Sequence, residues 1–225
     1  MIHRDDVARR AFILEHTATI RAPLVPEFQL HLATEITPLW QATENSLSQI
    51  GLPPPYWAFA WVGGQAVARH ILDHPELVAG RTVLDFAAGC GLISLAAIRA
   101  GAKAVTAVDI DPFAQTAIAL NLALNAADPN ERVRMSAEDM VGHLLPGVDV
   151  VLAGDVCYER PMAEAVILWL RTLARAGLTV IIGDPGRSYL PCSGLTALAR
   201  YVVPTVADVE DSATKATTVW RVEAG

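Results

Sequence analysis

The chain has 225 residues, of which 52% are hydrophobic, and its formal net charge is −7 at pH 7. This length suits one substantial α/β domain, and no Ser/Gly/Pro-rich linker indicates a second one. The acidic balance without a Lys/Arg cluster argues against nucleic acid as a partner, and no apolar run reaches the roughly 18 residues of a membrane span.

The N-terminal residues predict an extension that packs on the main domain. We expect a short helix over residues 2–18, because two prolines follow it, and a strand or hairpin over residues 28–39, where apolar and polar residues alternate. The predicted division is therefore an N-terminal extension, residues 1–50, and a main domain, residues 51–225.

A proline- and aromatic-rich stretch, GLPPPYWAFAWVGGQ, occupies residues 51–65. Its Gly63-Gly64 pair predicts a turn before a helix over residues 66–72, and the N–H groups at that helix start can face a carboxylate of a bound ligand. A rim of core aromatic residues is the alternative.

His70 and His74 have the spacing of a zinc-binding pair. The glutamate of H-E-x-x-H is missing, however, and Pro75 ends the helix directly after His74. We therefore predict no metal site.

Residues 81–94, RTVLDFAAGCGLIS, predict a strand, a glycine turn and a helix start, the arrangement of a nucleotide-binding loop. The dinucleotide pattern G-x-G-x-x-G fits poorly, because Ser94 stands at the third glycine position. Counted from Asp85, the pattern is D-x-A-x-G-x-G, with Ala87, Gly89 and Gly91 at its small positions.

A second buried strand, residues 105–108, ends at Asp109. An acidic residue about 20 positions beyond a glycine loop can accept hydrogen bonds from both hydroxyls of a ribose, which indicates nucleoside binding without identifying the nucleoside. Asp111 and Pro112 are expected to begin a helix over residues 113–125, and a short third strand follows at residues 132–135.

The fourth strand, residues 149–153, runs into Gly154-Asp155-Val156-Cys157-Tyr158-Glu159. An acid and an aromatic residue at this edge of the sheet lie where the reacting group of a substrate belongs, although a helix cap with a packing tyrosine is the alternative. Two further helices are predicted over residues 161–174 and 195–201. A fifth strand is predicted over residues 178–183, and the final strands over residues 206–222. The alternation predicts a doubly wound, Rossmann-like α/β fold.

Five segments, PYWAFAWVGGQA, VLDFAAGCGL, AVDIDP, GDVCYE and IIGDPGR, together resemble the electron-transfer flavoprotein β-subunit lysine methyltransferases. That family is a branch of the class I S-adenosylmethionine-dependent methyltransferases with a D-x-x-Y motif after strand four. The resemblance covers about residues 26 to 222. It implies a seven-strand, mostly parallel sheet with an antiparallel last strand, S-adenosylmethionine as the donor, and a lysine of the flavoprotein β-subunit as the acceptor.

The resemblance also implies roles for individual residues. Asp155 and Tyr158 take the places of the catalytic Asp and Tyr, and Ala87 replaces the first glycine, where its methyl group is expected to narrow the loop slightly. A polar residue after the third strand meets the adenine amino group in the family, and either Glu138 or Asp139 can do so. The candidate cofactor-binding residues are Trp57, Gly64, Gln65, Asp85, Ala87, Gly89, Gly91, Asp109, Ile110, Glu138 and Asp139.

Lysine methylation requires a neutral amine, and lowering a lysine pKa from ~10.4 to ~7 corresponds to roughly 4.6 kcal/mol. Burial of the amine lowers the lysine pKa, whereas the Asp155 carboxylate alone would stabilise the charged ammonium form. We therefore expect Asp155 to orient the nitrogen, with Tyr158 and Trp57 or Trp61 forming a desolvating wall.

Two other functions compete with this one. A methyltransferase for a ribosomal protein or a small amine would share the glycine loop, and an NAD-dependent oxidoreductase is disfavoured by Ser94 and Asp85. Three cysteines without a C-x-x-C pattern indicate a reducing compartment, and the early Asp5 and Asp6 argue against a targeting segment. We expect a monomeric, cytoplasmic, bacterial protein.

Overall fold

The structure, a computed structural model, describes residues 5–34, 39, 54–126, 132–205 and 213–224. Two short 3-10 helices at Tyr56–Ala58 and Pro75–Leu77 accompany the helices and strands. The helices are α1 (Asp6–His16), α2 (Val62–Asp73), α3 (Leu92–Arg99), α4 (Pro112–Leu124) and α5 (Arg160–Arg175). The strands are β1 (Ala18–Ala22), β2 (Val25–Leu32), β3 (Thr82–Phe86), β4 (Ala104–Val108), β5 (Val133–Ser136), β6 (Val150–Gly154), β7 (Thr179–Asp184), β8 (Leu195–Pro204) and β9 (Thr214–Val222).

Seven strands form one sheet in the order β5-β4-β3-β6-β7-β9-β8. The first five in this order are parallel, and β9 runs antiparallel to both β7 and β8. The predicted seven-strand sheet with an antiparallel last strand is therefore confirmed. The apolar runs of the central strands follow from this arrangement, because both faces of a parallel sheet are covered.

Helices cover the two faces of the sheet. Val83 and Val150 share one core cluster with α2 and α3. Leu84, the next residue of β3, belongs to a second cluster on the opposite face, where Leu170 and Leu173 of α5 pack. This division follows from the alternating direction of side chains along a strand.

The N-terminal hairpin of β1 and β2 packs on the same core as α2 and α3. Asn121 of α4 and Asn125, the C-cap of that helix, bind the outer edge of β2. Asn121 Oδ1 accepts from His31 N–H at 2.8 Å, and Asn125 Oδ1 accepts from Gln29 N–H at 2.9 Å. These bonds occupy backbone groups of an edge strand, which would otherwise remain open to another chain. The predicted boundary at residue 50 lies outside the described residues, so the two-part division stays a prediction.

The structure corrects the predicted elements of the N-terminal region. The helix expected over residues 2–18 is α1, which ends at His16, and a strand follows at once from Ala18. The strand expected over residues 28–39 is β2, which already ends at Leu32, while residues 35–38 lie outside the described part of the chain. The hairpin explains the early start of β2, because its partner strand immediately precedes it.

Residues 195–201 form the start of β8, and the predicted helix is wrong. The segment LTALARY is rich in helix-forming residues, but it pairs antiparallel with β9. Intrinsic propensity is a weak preference that such long-range pairing overrides. Of the final strands predicted over residues 206–222, the described residues 213–222 contain β9, and residues 206–212 lie outside the described part of the chain.

Gly63 and Gly64 lie in the first turn of α2, so the predicted turn before that helix is also wrong. A Cβ on Gly183 would lie 2.8 Å from Val67 Cγ2 and well within contact distance of the Gly63 carbonyl oxygen. One on Gly154 would lie 2.6 Å from Gly64 Cα. The glycines therefore serve the close approach of α2 to β6 and β7.

Candidate active site

The carboxyl ends of β3, β4, β5 and β6 meet at one edge of the sheet. Successive strands run outward in one direction from β3 and in the other from β6, so the topological switch point lies between these two strands. Ligands of open α/β sheets bind in the crevice at this point. The glycine loop, Asp109, Glu138 and Asp155 all lie at this edge.

The glycine loop connects β3 to α3 through left-handed backbone positions. The φ angles are 54° at Ala87, 52° at Gly89 and 78° at Gly91, which is the N-cap of α3. A Cβ on Gly89 would meet no atom within 4 Å, so the loop leaves open space there. The left-handed backbone conformation of Ala87 costs alanine about 1–2 kcal/mol, and the slight narrowing of the loop by its methyl group stays a prediction.

Asp85 lies fully buried beneath this loop. Its Oδ2 accepts a hydrogen bond from Ser94 Oγ at 2.6 Å, whereas its buried Oδ1 has no hydrogen-bond partner among the described residues. Burial raises the pKa of Asp85 to about 7, although the hydrogen bonds from Ser94 act in the opposite direction. Ser94 is thus a partner of Asp85, and a buried acceptor atom remains for an N–H donor of a ligand.

Asp109 follows β4 and fastens the glycine loop. Its Oδ2 accepts from Gly89 N–H at 2.9 Å, and its Oδ1 accepts from Asp111 N–H at 3.0 Å. Burial raises the pKa of Asp109, and these two backbone donors lower it. A carboxylate has about four acceptor positions, so two remain for hydroxyl donors. The neighbouring Ile110 is 71% exposed and presents an apolar surface beside them.

Glu138 and Asp139 follow β5 on exposed backbone. Asp139 Oδ1 accepts from Val141 N–H at 3.0 Å, which makes Asp139 a turn residue. The backbone N–H of Glu138 donates to Ser136 Oγ at 3.3 Å, and this bond does not involve the Glu138 carboxylate.

Two predicted cofactor residues, Trp57 and Gln65, have other partners. Trp57 is 2% exposed and stacks on Phe113, with ring centroids 5.8 Å apart. Gln65 Oε1 accepts from Leu24 N–H at 3.2 Å, and its Nε2 donates to the Ala60 carbonyl oxygen at 2.6 Å. These contacts indicate packing roles and do not support cofactor contacts for Trp57 and Gln65.

The backbone N–H of Gly64, predicted to face a ligand carboxylate, donates instead to Asp155 Oδ2 at 3.1 Å. Asp155 is 7% exposed and has a φ of 57°, a conformation that aspartate tolerates better than most residues. Its Oδ1 accepts from Arg187 Nη2 at 2.9 Å and from Arg187 Nε at 3.3 Å. Burial raises the pKa of Asp155 to about 6, since it outweighs the lowering effect of Arg187.

Aromatic rings surround the mouth of this site. Tyr158 is 39% exposed, and its ring centroid lies 5.5 Å from that of Tyr56, which in turn lies 6.2 Å from Trp61. Burial raises the pKa of Tyr158 to about 12, so its hydroxyl stays a hydrogen-bond donor near neutral pH. Tyr158, Trp61 and Tyr56 thus form an aromatic wall, whereas Trp57 stacks on Phe113, and sequence reasoning missed Tyr56.

Arg187 is the second residue that sequence reasoning missed. It stands in the loop after β7, where Asp184 Oδ1 accepts from the N–H groups of Gly186 and Arg187, each at 2.7 Å. The motif GDPGR carried the signal, because β7 is the parallel neighbour of β6 and their ends lie side by side.

The histidine pair of α2 lies apart from this edge. His70 is buried, and its Nδ1 lies 3.3 Å from the Tyr201 hydroxyl. In the described ranges, no group of three or more His, Cys, Asp or Glu side chains is arranged to hold a metal ion.

Comparison with known proteins identifies the family. The electron transfer flavoprotein beta subunit lysine methyltransferase of Danio rerio is 38% identical over 223 residues, which cover 96% of this chain and 83% of that protein. Its counterpart from Xenopus laevis is 38% identical over 219 residues, covering 95% and 87%. The chain belongs to the electron transfer flavoprotein beta subunit lysine methyltransferase family. It is therefore a methyltransferase, and the resemblance predicted from the motifs is confirmed.

Two further matches concern the fold and part of the chain. The structure of magnesium protoporphyrin IX methyltransferase from Synechocystis PCC 6803 with bound S-adenosylmethionine superposes with a TM-score of 0.51 at 17% identity, covering 70% of this chain and 77% of that one. This likeness confirms the class I methyltransferase fold. The family model of the ribosomal protein L11 methyltransferase matches residues 70–157.

The sources of the relatives correct one prediction. Besides fish and frog, a relative of the same name occurs in rat, and a relative named as its homolog occurs in Caenorhabditis elegans. These are animal proteins, so the prediction of a bacterial, cytoplasmic protein is wrong. Within the described residues, no helix combines the length and apolarity needed to cross a membrane.

Proposed function

We propose that this protein transfers the methyl group of S-adenosylmethionine to a lysine side chain of the electron transfer flavoprotein β-subunit. The observation that carries this proposal is the buried Asp155 carboxylate at the end of β6, with the aromatic rings of Tyr56, Trp61 and Tyr158 at its mouth. Such a site accepts an amine on a flexible aliphatic stem, because the rings cover the stem while the carboxylate orients the nitrogen.

The residues of the glycine-loop half fit the methyl donor. The orphaned Oδ1 of Asp85 suits an ammonium group, and the open space at Gly89 admits a ligand backbone close to the loop. Asp109 retains acceptor positions for the ribose hydroxyls, beside the exposed Ile110. Glu138 and Asp139 both retain carboxylate acceptor positions for the adenine amino group, since the single backbone bond to Asp139 Oδ1 leaves its other positions open. When bound, S-adenosylmethionine supplies an electrophilic methyl group.

The acceptor residues act by orientation. Asp155 is fixed by Gly64 and Arg187, so a nitrogen that bonds to it is held in one direction. Tyr158 and the neighbouring rings exclude water from the amine, which disfavours its charged form. Much of the rate then comes from alignment of the nitrogen with the methyl group.

A ribosomal protein acceptor is the second candidate, because the L11 methyltransferase model matches residues 70–157. That range contains the glycine loop, Asp109 and Asp155, but it ends before Arg187. The relatives named for the flavoprotein β-subunit match 95–96% of the chain, including the loop after β7. This wider match supports the flavoprotein as the acceptor.

The test combines acceptor choice with a variant. The purified protein is incubated with S-adenosylmethionine and either the flavoprotein β-subunit or ribosomal protein L11, and intact mass and peptide sequencing identify the methylated residue. We expect lysine methylation of the flavoprotein subunit, and methylation of L11 alone would refute that acceptor. Size-exclusion chromatography with light scattering tests the predicted monomer.

Asp155→Asn keeps the size of the side chain but removes its charge. We expect it to lower single-turnover methylation about 100-fold or more while S-adenosylhomocysteine affinity, measured by calorimetry, stays near that of the wild type. Tyr158→Phe is expected to cost less, because the ring remains. Tyr189→Phe is the matched control, since Tyr189 faces Arg160 and not Asp155. Full activity in Asp155→Asn would remove Asp155 from the acceptor site.

A further inference from the structure

We propose that Arg187 is a positioning residue of the acceptor site, whose guanidinium offsets the charge of Asp155 so that the lysine amine in front of this carboxylate can give up its proton. This role of Arg187 rests on the proposed function, lysine methylation with Asp155 at the acceptor amine. It gives the motif GDPGR a chemical purpose in addition to its place at the end of β7.

The chemistry sets two demands that conflict at a lone carboxylate. A nitrogen attacks a methyl group with its lone pair: the new N–C bond forms, the C–S bond breaks, and the electron pair of that bond stays on sulfur. The ammonium group of lysine must therefore release its proton to water first. A buried carboxylate orients the nitrogen but also attracts that proton. A cation beside the carboxylate removes the conflict. The carboxylate oxygen can still accept a hydrogen bond from the amine, while the cation cancels most of the carboxylate's attraction for the ammonium proton.

The guanidinium of Arg187 is placed for this role. Two of its N–H groups donate to Asp155 Oδ1, at 2.9 Å and 3.3 Å, and the side chain is only 22% exposed. The Trp61 ring is a further neighbour, and its centroid lies 5.9 Å from the Arg187 Cζ. The guanidinium therefore lies between the carboxylate and the aromatic wall, where a positive charge is tolerated.

The loop itself fixes this position. Asp184 Oδ1 accepts from the N–H groups of Gly186 and Arg187, and Gly186 has a φ of 87° that favours glycine. Pro185 restricts the backbone between them. The turn thus fixes the backbone of Arg187 next to β6, which places its guanidinium charge at Asp155.

The other titratable groups described around Asp155 are neutral or negatively charged, so they do not supply the positive charge that Arg187 provides. Asp184 is a second buried carboxylate that faces it from the end of β7, and it increases the need for a cation. Cys157 and Tyr158 come from the same loop as Asp155, and burial raises the pKa of each to about 12, so both stay neutral. From α2, among the described residues, the contact is the backbone N–H of Gly64.

The test is the pH dependence of turnover at saturating acceptor and donor. Arg187→Gln removes the cation, so both Asp155 and the bound amine should hold their protons to higher pH. We expect the rising limb of the kcat profile to move up by about one pH unit or more, with at least a tenfold loss near pH ~7.5 that shrinks toward pH ~9.5. Arg160→Gln is the matched control, since it removes a guanidinium that lies over Tyr189 at the same edge.

Arg187→Lys keeps the charge and loses the forked donor geometry. The rising limb of its kcat profile should stay within about half a pH unit of the wild type, and KM is measured separately to detect the effect of the altered geometry. An equal loss of kcat at every pH in Arg187→Gln, or an unmoved limb, would overturn the proposal. Should Arg187→Gln not fold, a limb moved by a full unit in Arg187→Lys would overturn it. Wild-type enzyme that methylates no lysine would instead refute the proposed function.

Discussion

Replacement of Gly63 by alanine is expected to separate α2 from the sheet. The new Cβ would lie 2.5 Å from Asp155 Oδ2 and 2.8 Å from the Asp155 nitrogen, and it would also meet the Gly183 carbonyl oxygen. Two of these three atoms are backbone, so the helix itself must move. Over-packing costs about 1–3 kcal/mol, and alanine regains up to about 1 kcal/mol through its helix propensity. Because backbone atoms obstruct, the upper end applies, and we expect a net loss of about 2 kcal/mol.

The adjacent Gly64→Ala is a control on the same turn of the same helix. Its Cβ would meet no atom within 4 Å, so only the propensity gain of up to about 1 kcal/mol applies. For a domain of this size, a loss of about 2 kcal/mol lowers the unfolding temperature by about 4–8 °C. Thermal unfolding by circular dichroism and urea midpoints compare the two variants. Equal unfolding temperatures for Gly63→Ala and Gly64→Ala would refute the close contact.

Two further predictions concern the glycine-loop half of the site. Asp109→Ala should weaken S-adenosylhomocysteine binding by about 1.5–3 kcal/mol for each charged hydrogen bond lost, and unchanged affinity in calorimetry would exclude Asp109 from the site. Burial raises the pKa of Asp85 from 3.8 to about 7, so between these values the folded protein retains a proton that the unfolded chain has lost. The contribution of Asp85 to the free energy of unfolding should therefore fall as pH rises through this window and then level off. Asp85→Asn lacks this titration, so its free energy of unfolding should gain up to about 4 kcal/mol relative to the wild type by pH ~7. Urea unfolding at several pH values measures the difference, and parallel pH dependence in both proteins would contradict it.

The glycine-loop half was predictable from sequence because its geometry is local. Asp85, Gly89 and Gly91 lie on one strand–turn–helix unit, and the next strand delivers Asp109 to the same edge. The N-cap role of Asp111 was predicted for the same reason, and its side chain accepts from the Phe113 N–H at 2.8 Å. In each case the residue types that suit the backbone also define the motif.

The acceptor half depends on contacts between segments far apart in the chain. Arg187 reaches Asp155 across 32 positions, and Gly64 reaches it across 91. Sequence reasoning placed Asp155 at the strand end, but it could not identify the donors that hold its carboxylate. The Gly63-Gly64 pair predicts a turn because the sequence does not show the strands against which the two glycines pack. The same limit applies to residues 195–201, whose strand pairing decides against their helix propensity.

The close approach of α2 to the sheet at Gly63 and Gly64 lies beside Asp155, the residue of the proposed acceptor site. The first turn of α2 approaches β6 and β7 closely enough for Gly64 N–H to bond to Asp155 Oδ2, while Arg187 holds Oδ1 from the other side. A shift of α2 that makes room for a Cβ at Gly63 would lengthen the first bond and leave the second in place. Gly63→Ala should therefore lower turnover even in assays run well below the unfolding temperature of the variant. Its S-adenosylhomocysteine affinity should stay unchanged, because the loss is that of one of the two hydrogen bonds that fix the direction of Asp155. Normal turnover in a measurably destabilised Gly63→Ala would show that Arg187 alone suffices to orient the carboxylate.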